Sequence, residues 1–237
     1  MRFLRCLPLL VAALALPELG GAQVLARQFV VTPRGGYIAF DRASSLENAG
    51  YIGVDANYGL TSMLAIGATF AAGRAQTRGT DFIAGMPFGD TTFLVAVTQP
   101  VGVVNAGVTA TLRLPFGSRL SPYATGGIGG YTLYLDPQVV GGPERFSRLS
   151  GLLGAGINFQ MGQTTGIQLD LRDMIFTGYR RARLDPTAAQ FQAARFNEDL
   201  PSPPAPKSTL NNLVFSIGFS FRPTPSGTTT PEGETTP

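Results

Sequence analysis

Residues 213–221 read LVFSIGFSF, and this pattern constrains the fold more than any other in the chain. Leu213, Phe215, Ile217, Phe219 and Phe221 are large and apolar, while Val214, Ser216, Gly218 and Ser220 between them are small. A period of two with unlike faces is a β-strand, because successive side chains leave a strand on opposite sides. The pattern recurs in eight segments, near 33–42, 49–59, 63–74, 101–114, 121–135, 147–161, 164–177 and 209–222. Ile52, Val54, Ala56 and Tyr58 oppose Gly53, Asp55, Asn57 and Gly59. Val104, Ala106, Val108, Ala110 and Leu112 oppose Asn105, Gly107, Thr109, Thr111 and Arg113. Ile167, Leu169 and Leu171 oppose Gln168, Asp170 and Arg172.

The connections alternate as well. Links 58–63, 114–120 and 160–165 are tight, and links 43–48, 75–100, 136–146 and 178–208 are longer. Short and long links in rotation mean antiparallel neighbours with one plain end and one decorated end. An even number of strands puts both termini at the plain end. The fold expected is all-β: a closed antiparallel transmembrane β-barrel of eight strands. Residues 91–100, TTFLVAVTQP, either extend the fourth segment or form an additional hairpin, which would make ten strands.

Composition decides which face is dry. A soluble exported ligand-binding barrel would turn its apolar faces inward and show a charged surface to water. Here charged residues are 14% of the chain, Lys207 is the one lysine, and the polar faces are mostly Gly, Ser, Thr, Asn and Gln. Small residues suit the lumen of an eight-stranded barrel, which side chains just fill. The lumen set read from the pattern is Asp55, Asn57, Arg113, Asn158, Gln168, Asp170 and Arg172. Asp55 and Asp170 are expected to balance Arg113 and Arg172, since charges inside need partners. The apolar faces carry no Arg or Lys at mid-strand, where one would cost roughly 2–4 kcal/mol against lipid. Lipid is therefore the expected solvent of the Phe face. The lipid-facing and girdle residues are Tyr58, Phe159, Phe215, Phe219 and Phe221, with Phe70 and Tyr131 towards the decorated end. Leu152 and Val214 are exceptions, apolar on the polar face. PYATGGIGGYTLYLD (121–135 with its flank) has small residues on both faces, which leaves Tyr123 without an orientation.

The chain has no His, and Cys6 is its one cysteine. That excludes a Cys/His zinc site and a Ser-His or Cys-His pair, so no catalytic residue, metal or cofactor is expected. GGIGGY (126–131) fails the dinucleotide fingerprint, because Thr132 stands where the third Gly would be. Arg180, Arg181 and Arg183 lack the basic helix or aromatic platform of a nucleic-acid binder. Together with Arg195 they make loop 178–208 a candidate surface-binding loop for a partner, a polysaccharide or a lipopolysaccharide phosphate. An eight-stranded lumen is too narrow for an open aqueous channel, so a narrow ion or small-solute pore is the alternative role.

Residues 1–22 read as a secretory signal peptide, with Arg2 and Arg5 before the apolar run Leu7–Leu16 and Gly20-Gly21-Ala22 for cleavage. That run is shorter than the ~20 apolar residues of a spanning helix. Residues 23–222 form the barrel domain, and 223–237 read as a disordered periplasmic tail.

Three stretches carry a resemblance: LRLPFGSRLSPYATGGIGGYTL (112–133), GLLGAGINFQMGQTTGIQLDLRD (151–173) and TLNNLVFSIGFSFR (209–222). Together they resemble the OmpA-type outer-membrane β-barrel family. The resemblance implies a cell outer-membrane location with periplasmic termini and long loops at the cell surface. It implies a non-enzymatic structural or surface-interaction role and contact with outer-membrane lipid and lipopolysaccharide. Phe221 looks like the terminal aromatic read by the barrel-insertion machinery, although Arg222 and the tail follow it. Many members continue into a peptidoglycan-binding domain. PTPSGTTTPEGETTP stands in that place here, so cell-wall anchoring is not expected.

Overall fold

The structure, a computed structural model, describes residues 27–96, 98–114, 119–135, 144–162, 164–184 and 204–223, with the backbone alone for 83–88 and 91–96. Period-two segments become strands: β1 Phe29–Ala39, β2 Ala49–Gly59, β3 Leu64–Gln76, β4 Ile83–Phe88, β5 Thr91–Ala96, β6 Pro100–Arg113, β7 Leu120–Leu135, β8 Glu144–Gln160, β9 Thr165–Thr177 and β10 Thr209–Phe221. Eight of them close into a barrel in the order β1-β10-β9-β8-β7-β6-β3-β2. β4 and β5 pair with each other in a separate two-stranded sheet. The additional hairpin therefore exists, within the link from β3 to β6, and the barrel still has eight strands.

Local chemistry sets the turns. After β2, the Leu60 and Thr61 N–H groups both donate to the Leu64 carbonyl, and the Thr61 hydroxyl accepts from the Met63 and Leu64 N–H groups. After β8, the Met161 and Gly162 N–H groups donate to the Thr165 carbonyl. The barrel closes where Val31 lies opposite Phe221 and Arg34 opposite Gly218. Thr32 and Pro33 between them are not paired across this seam, as expected where Pro brings no N–H.

β10 shows how the wall meets its surroundings. Leu213, Phe215, Ile217, Phe219 and Phe221 face out, and Val214, Ser216, Gly218 and Ser220 face in. Towards the long-loop end the sense reverses: Leu210 is fully buried inside, and Thr209 and Asn211 face out. β7 reverses likewise, with Tyr131, Leu133 and Leu135 inside and Thr132 and Tyr134 outside. On β8, Phe146 is inside and Arg145 and Ser147 are outside. A change of outer solvent from hydrocarbon to water produces this reversal, because the interior beyond the hydrocarbon can be an ordinary protein core. The outward apolar run of β10 covers about 26 Å of strand at ~3.3 Å per residue, or about 20 Å of height at a tilt near 40°.

The interior at the long-loop end is a largely apolar plug. Tyr131 stacks on Phe176 with ring centroids 4.0 Å apart, and Phe146 meets Tyr131 edge-on at 6.2 Å. Ala43, Leu46, Phe82, Tyr179 and Leu184 from the long links belong to the same buried cluster. The Tyr179 hydroxyl donates to the Ser44 carbonyl at 2.6 Å, and Gln99 Nε2 donates to the Leu184 carbonyl at 2.5 Å. The expectation of a polar lumen throughout is thus corrected: only the part below the plug is polar. Val214, an exception in the sequence pattern, belongs to this cluster, and Leu152 is also buried. Tyr131 is corrected too. It is wholly buried in the plug rather than set in an outer girdle, because odd-numbered residues of β7 point inward.

Candidate functional site

Below the plug, charged side chains from strands on both sides of the lumen meet. Asp170 and Arg172 are two residues apart on β9 and share its inner face. Arg172 Nη2 lies 3.0 Å from Asp170 Oδ2 and 2.5 Å from Asp55 Oδ2, which comes from β2. Asp55 has a second cation, since Arg34 Nε on β1 is 3.3 Å from Oδ1. The Thr69 hydroxyl donates to Asp55 at 2.7 Å and accepts from Arg34 Nη2 at 3.0 Å. Arg34 Nη1 donates to the Tyr51 hydroxyl at 2.9 Å. On the other flank, Asp170 accepts from the Tyr123 hydroxyl and from Gln168 Nε2 at 3.0 Å. Two carboxylates and two guanidiniums, all nearly inaccessible, balance in charge. Buried ions of this kind need hydrogen bonds for their remaining valences, and here, among the described residues, Arg34 Nε alone lacks one, facing Asp55 Oδ1 at 3.3 Å as an ion pair without hydrogen-bond geometry.

Two glycines make room for the network. On β8, Gly154 lies opposite Arg172 and Gly156 opposite Asp170. A methyl group at Gly156 would overlap the Tyr123 hydroxyl and the Leu169 carbonyl oxygen. At Gly154 it would come within 2.6 Å of Arg172 Cγ.

The residues expected in the lumen separate into two groups. Asp55, Asp170, Arg172 and Gln168 are brought together in the network. Asn57, Arg113 and Asn158 line a cavity of about 30 Å³, with Thr111, Ser220 and Arg222 also in its wall. The Ser220 hydroxyl donates to Asn158 Oδ1 at 3.3 Å. The expected charge balance is therefore corrected. Arg113 does not pair with Asp170, because Tyr123 and Gly156 stand between them in the strand ladder. Arg34 supplies the second cation. Sequence reasoning missed Arg34, Thr69 and Tyr123. Arg34 shares a face with Thr32 and Gly36, a signal weakened because Pro33 and Gly35 on the other face are also unremarkable. Tyr123 had no signal, since both faces of its segment are small.

Tyr58, Phe70, Phe159, Phe215, Phe219 and Phe221 all lie on the outer wall, each a little under or about half exposed. Ile128 and Leu149 are 73% exposed, which no water-facing wall favours. At the long-loop end, Arg181 Nη1 donates to the Pro204 carbonyl at 2.5 Å, Arg183 is 3.8 Å from Glu144, and Arg180 is exposed. Arg195 and the 186–196 stretch lie outside the described residues. Arg42 grips Asp81 with two bonds, 2.5 and 2.7 Å, and so ties the first long link to the second. Burial raises the Asp81 carboxyl, but the Arg42 guanidinium, bonded to it twice, outweighs it and holds Asp81 below the usual carboxylate range. Burial pushes the Tyr179 phenol up.

A closed antiparallel barrel with an apolar outer belt and a polar, ion-paired network in its lumen defines an outer-membrane β-barrel. The chain matches the outer membrane protein beta-barrel domain family over residues 7–222 and belongs to it. Its location is the outer membrane, and its outer belt contacts lipid. Among solved structures, Neisserial surface protein A is similar with a TM-score of 0.52 at 9% identity, over 82% of this chain and 96% of that one. OprG from Pseudomonas aeruginosa gives 0.46 at 12% identity, over 84% and 99%. The N-terminal barrel of Pseudomonas aeruginosa OprF gives 0.41 at 12%, over 83% and 98%. At these identities the likeness is one of fold. No curated protein matches the chain.

Proposed function

We propose that the protein is a non-enzymatic barrel with a structural or surface-interaction role. The observation that carries this reading is how the lumen is filled: among the described residues, the charge network stands below an apolar plug, and the two together occupy the barrel interior. Asp55 and Asp170 are each held by guanidinium groups, which leaves neither poised as a general base. In this reading residues 1–22 are removed on export, both barrel termini and the tail 223–237 lie in the periplasm, and the long links reach the cell surface. The last strand, ending in Phe221, is what the insertion machinery reads. Arg180, Arg181, Arg183 and Arg195 offer cations to anionic surface sugars or lipopolysaccharide phosphate. Arg145 supports such contact, since its guanidinium lies 5.6 Å from the Tyr134 ring centre on the outer wall, beyond the hydroxyl pair Thr132 and Ser147.

Planar-bilayer recording tests the closed lumen. The wild type is expected to give no stable conductance steps, and so is Arg172→Met, because the plug remains. Steady steps in the wild type would instead favour a narrow pore. Binding of the purified protein to lipopolysaccharide before and after enzymatic dephosphorylation tests the surface role. Retention should fall on dephosphorylation and in the Arg180→Gln/Arg181→Gln/Arg183→Gln variant. Equal retention in all cases removes the phosphate reading.

A further inference from the structure

We propose that copies of this barrel associate side by side in the membrane, with Arg74 of one copy against Asp173 of the next. The contact lies on the lipid-facing wall and does not rest on the long-loop surface role. It starts from Asp173. Parity on β9 puts Asp170 and Arg172 inside and Leu171 and Asp173 outside. The outer-face neighbours of Asp173 are all apolar: Leu171 and Ile175 on its own strand, Leu153 opposite on β8 and Leu213 opposite on β10. The Asn212 backbone bonds the carboxyl, but Oδ1 has no hydrogen-bond partner and the group has no ion pair among the described residues. An ionisable side chain on a membrane wall is costly without a partner, and so marks a contact. Arg74 is the complementary group. It faces out from β3, exposed, just above Phe70 and Ala72, and its guanidinium has no hydrogen bond or ion pair among the described residues.

The ring places these two charges for a contact between copies. β9 and β3 are four strands apart in either direction, half a turn of the barrel. All copies insert the same way, so a shift of one diameter sets β3 of one copy against β9 of the next without rotation. Their depths also agree. One way round, the ladder runs from Asp173 through Leu153, Gly126 and Ala110 to Ile66 on β3. The other way, Leu169 leads through Ile217, Gly35 and Ile52 to Ala72, which puts Gln76 on the line of Asp173. Strand tilt separates Ile66 from Gln76, so the depth of Asp173 on β3 lies midway, at Ala71. Arg74 is three residues higher, about 8 Å at ~3.3 Å per residue and a tilt near 40°. An arginine reaching down and an aspartate reaching up span that gap, the arginine stem lying along apolar wall. By the same rule Leu169, which stands well exposed, is level with Ala68. Ala68 lies in an outer hollow with Ala56, Ala110 and Gly126, walled by Ile66 and Ile128. The leucine of one copy thus meets the hollow of the next. The two faces differ, so the contact is heterologous and extends into a row rather than closing as a pair.

Energy transfer between donor- and acceptor-labelled copies tests this in phospholipid vesicles. The full chain carries Cys6→Ser and Ser226→Cys, which leaves one dye site in the tail. Transfer followed as lipid is added should exceed that of randomly placed barrels and gives an association constant. Arg74→Gln and Asp173→Asn should each weaken association at least about tenfold, the scale of one close charge pair. The two together should cost no more than either alone, since both remove the same pair. An equal mixture of Arg74→Asp copies and Asp173→Arg copies should associate where neither does alone, because only the mixture sets opposite charges face to face. Gel mobility before and after boiling verifies that each variant is folded. If Asp173→Arg does not fold, the two neutral substitutions and their combination decide. Wild-type transfer at the random level overturns the proposal, as lipid then covers both groups. Association unchanged by both neutral substitutions, or losses that simply add, also overturns it.

Discussion

Arg172 is the hinge of the lumen network, and its removal has a calculable cost. Arg172→Met deletes the guanidinium and keeps most of the stem, so packing against Gly154 changes little. Asp55 retains Arg34 and Thr69. Asp170 retains the Tyr123 and Gln168 donors but loses its cation, so the penalty falls there. Breaking a buried ion pair costs about 3–5 kcal/mol, and the surviving donors put this case near the lower bound, at about 3 kcal/mol. Asp170→Asn in the same chain removes the stranded charge and should return about 2 kcal/mol, a coupling within the range for contacting residues. Urea unfolding in phospholipid vesicles, followed by far-UV circular dichroism and gel mobility, gives both numbers. An Arg172→Met cost below about 0.5 kcal/mol, the level of an ordinary surface change, would refute the argument. So would strict additivity of the two substitutions.

Gly156→Ala should destabilise by about 1–3 kcal/mol through overpacking, because the new methyl displaces the Tyr123 hydroxyl from Asp170. In a Tyr123→Phe background the same change should cost less in urea unfolding, since the hydroxyl is no longer there. Placing Arg at Phe215 should cost roughly 2–4 kcal/mol, while Arg at Asn211, beyond the reversal on β10, should be nearly neutral in the same assay. The Arg42–Asp81 link is pH-dependent in a defined direction. The Asp81 pKa is depressed in the fold, so its contribution is present above its unfolded value of about 3.9 and is lost as pH falls through the folded value. Asp81→Asn should therefore differ from the wild type in unfolding midpoint at pH 6, with the difference closing below about pH 4.

Much of the barrel was legible because one physical rule, alternation against lipid, runs through every wall strand. The segment 49–59 matches β2 residue for residue, six others shift by a few residues at most, and the first runs Phe29–Ala39 rather than 33–42. The plug was not legible. Its signal, Val214 on a polar face, looks like an error until the strands are known to outrun the hydrocarbon. The same reversal misplaced Tyr131. Asp55, Asp170 and Arg172 could be paired from their faces alone, since each puts a charge on the inner face of its strand. Which cation completes the set depends on shear between strands, and period-two patterning carries no information on shear. Sign and face favour Arg113, whereas Arg34, opposite Gly53 in the β1–β2 ladder, reaches diagonally to Asp55.

The central claim is that lipid, and not a protein core, dries the Phe face, and that the faces exchange at Asn212. The chain contains no Trp, so a single Trp placed on β10 is a sole reporter. Leu213→Trp, Phe215→Trp, Ile217→Trp, Phe219→Trp and Phe221→Trp in vesicles of brominated phospholipid should all be quenched, most strongly near Ile217. Thr209→Trp and Asn211→Trp should escape the bromines and be quenched by aqueous iodide. Iodide quenching at Phe215→Trp and Ile217→Trp without bromine quenching would contradict the account.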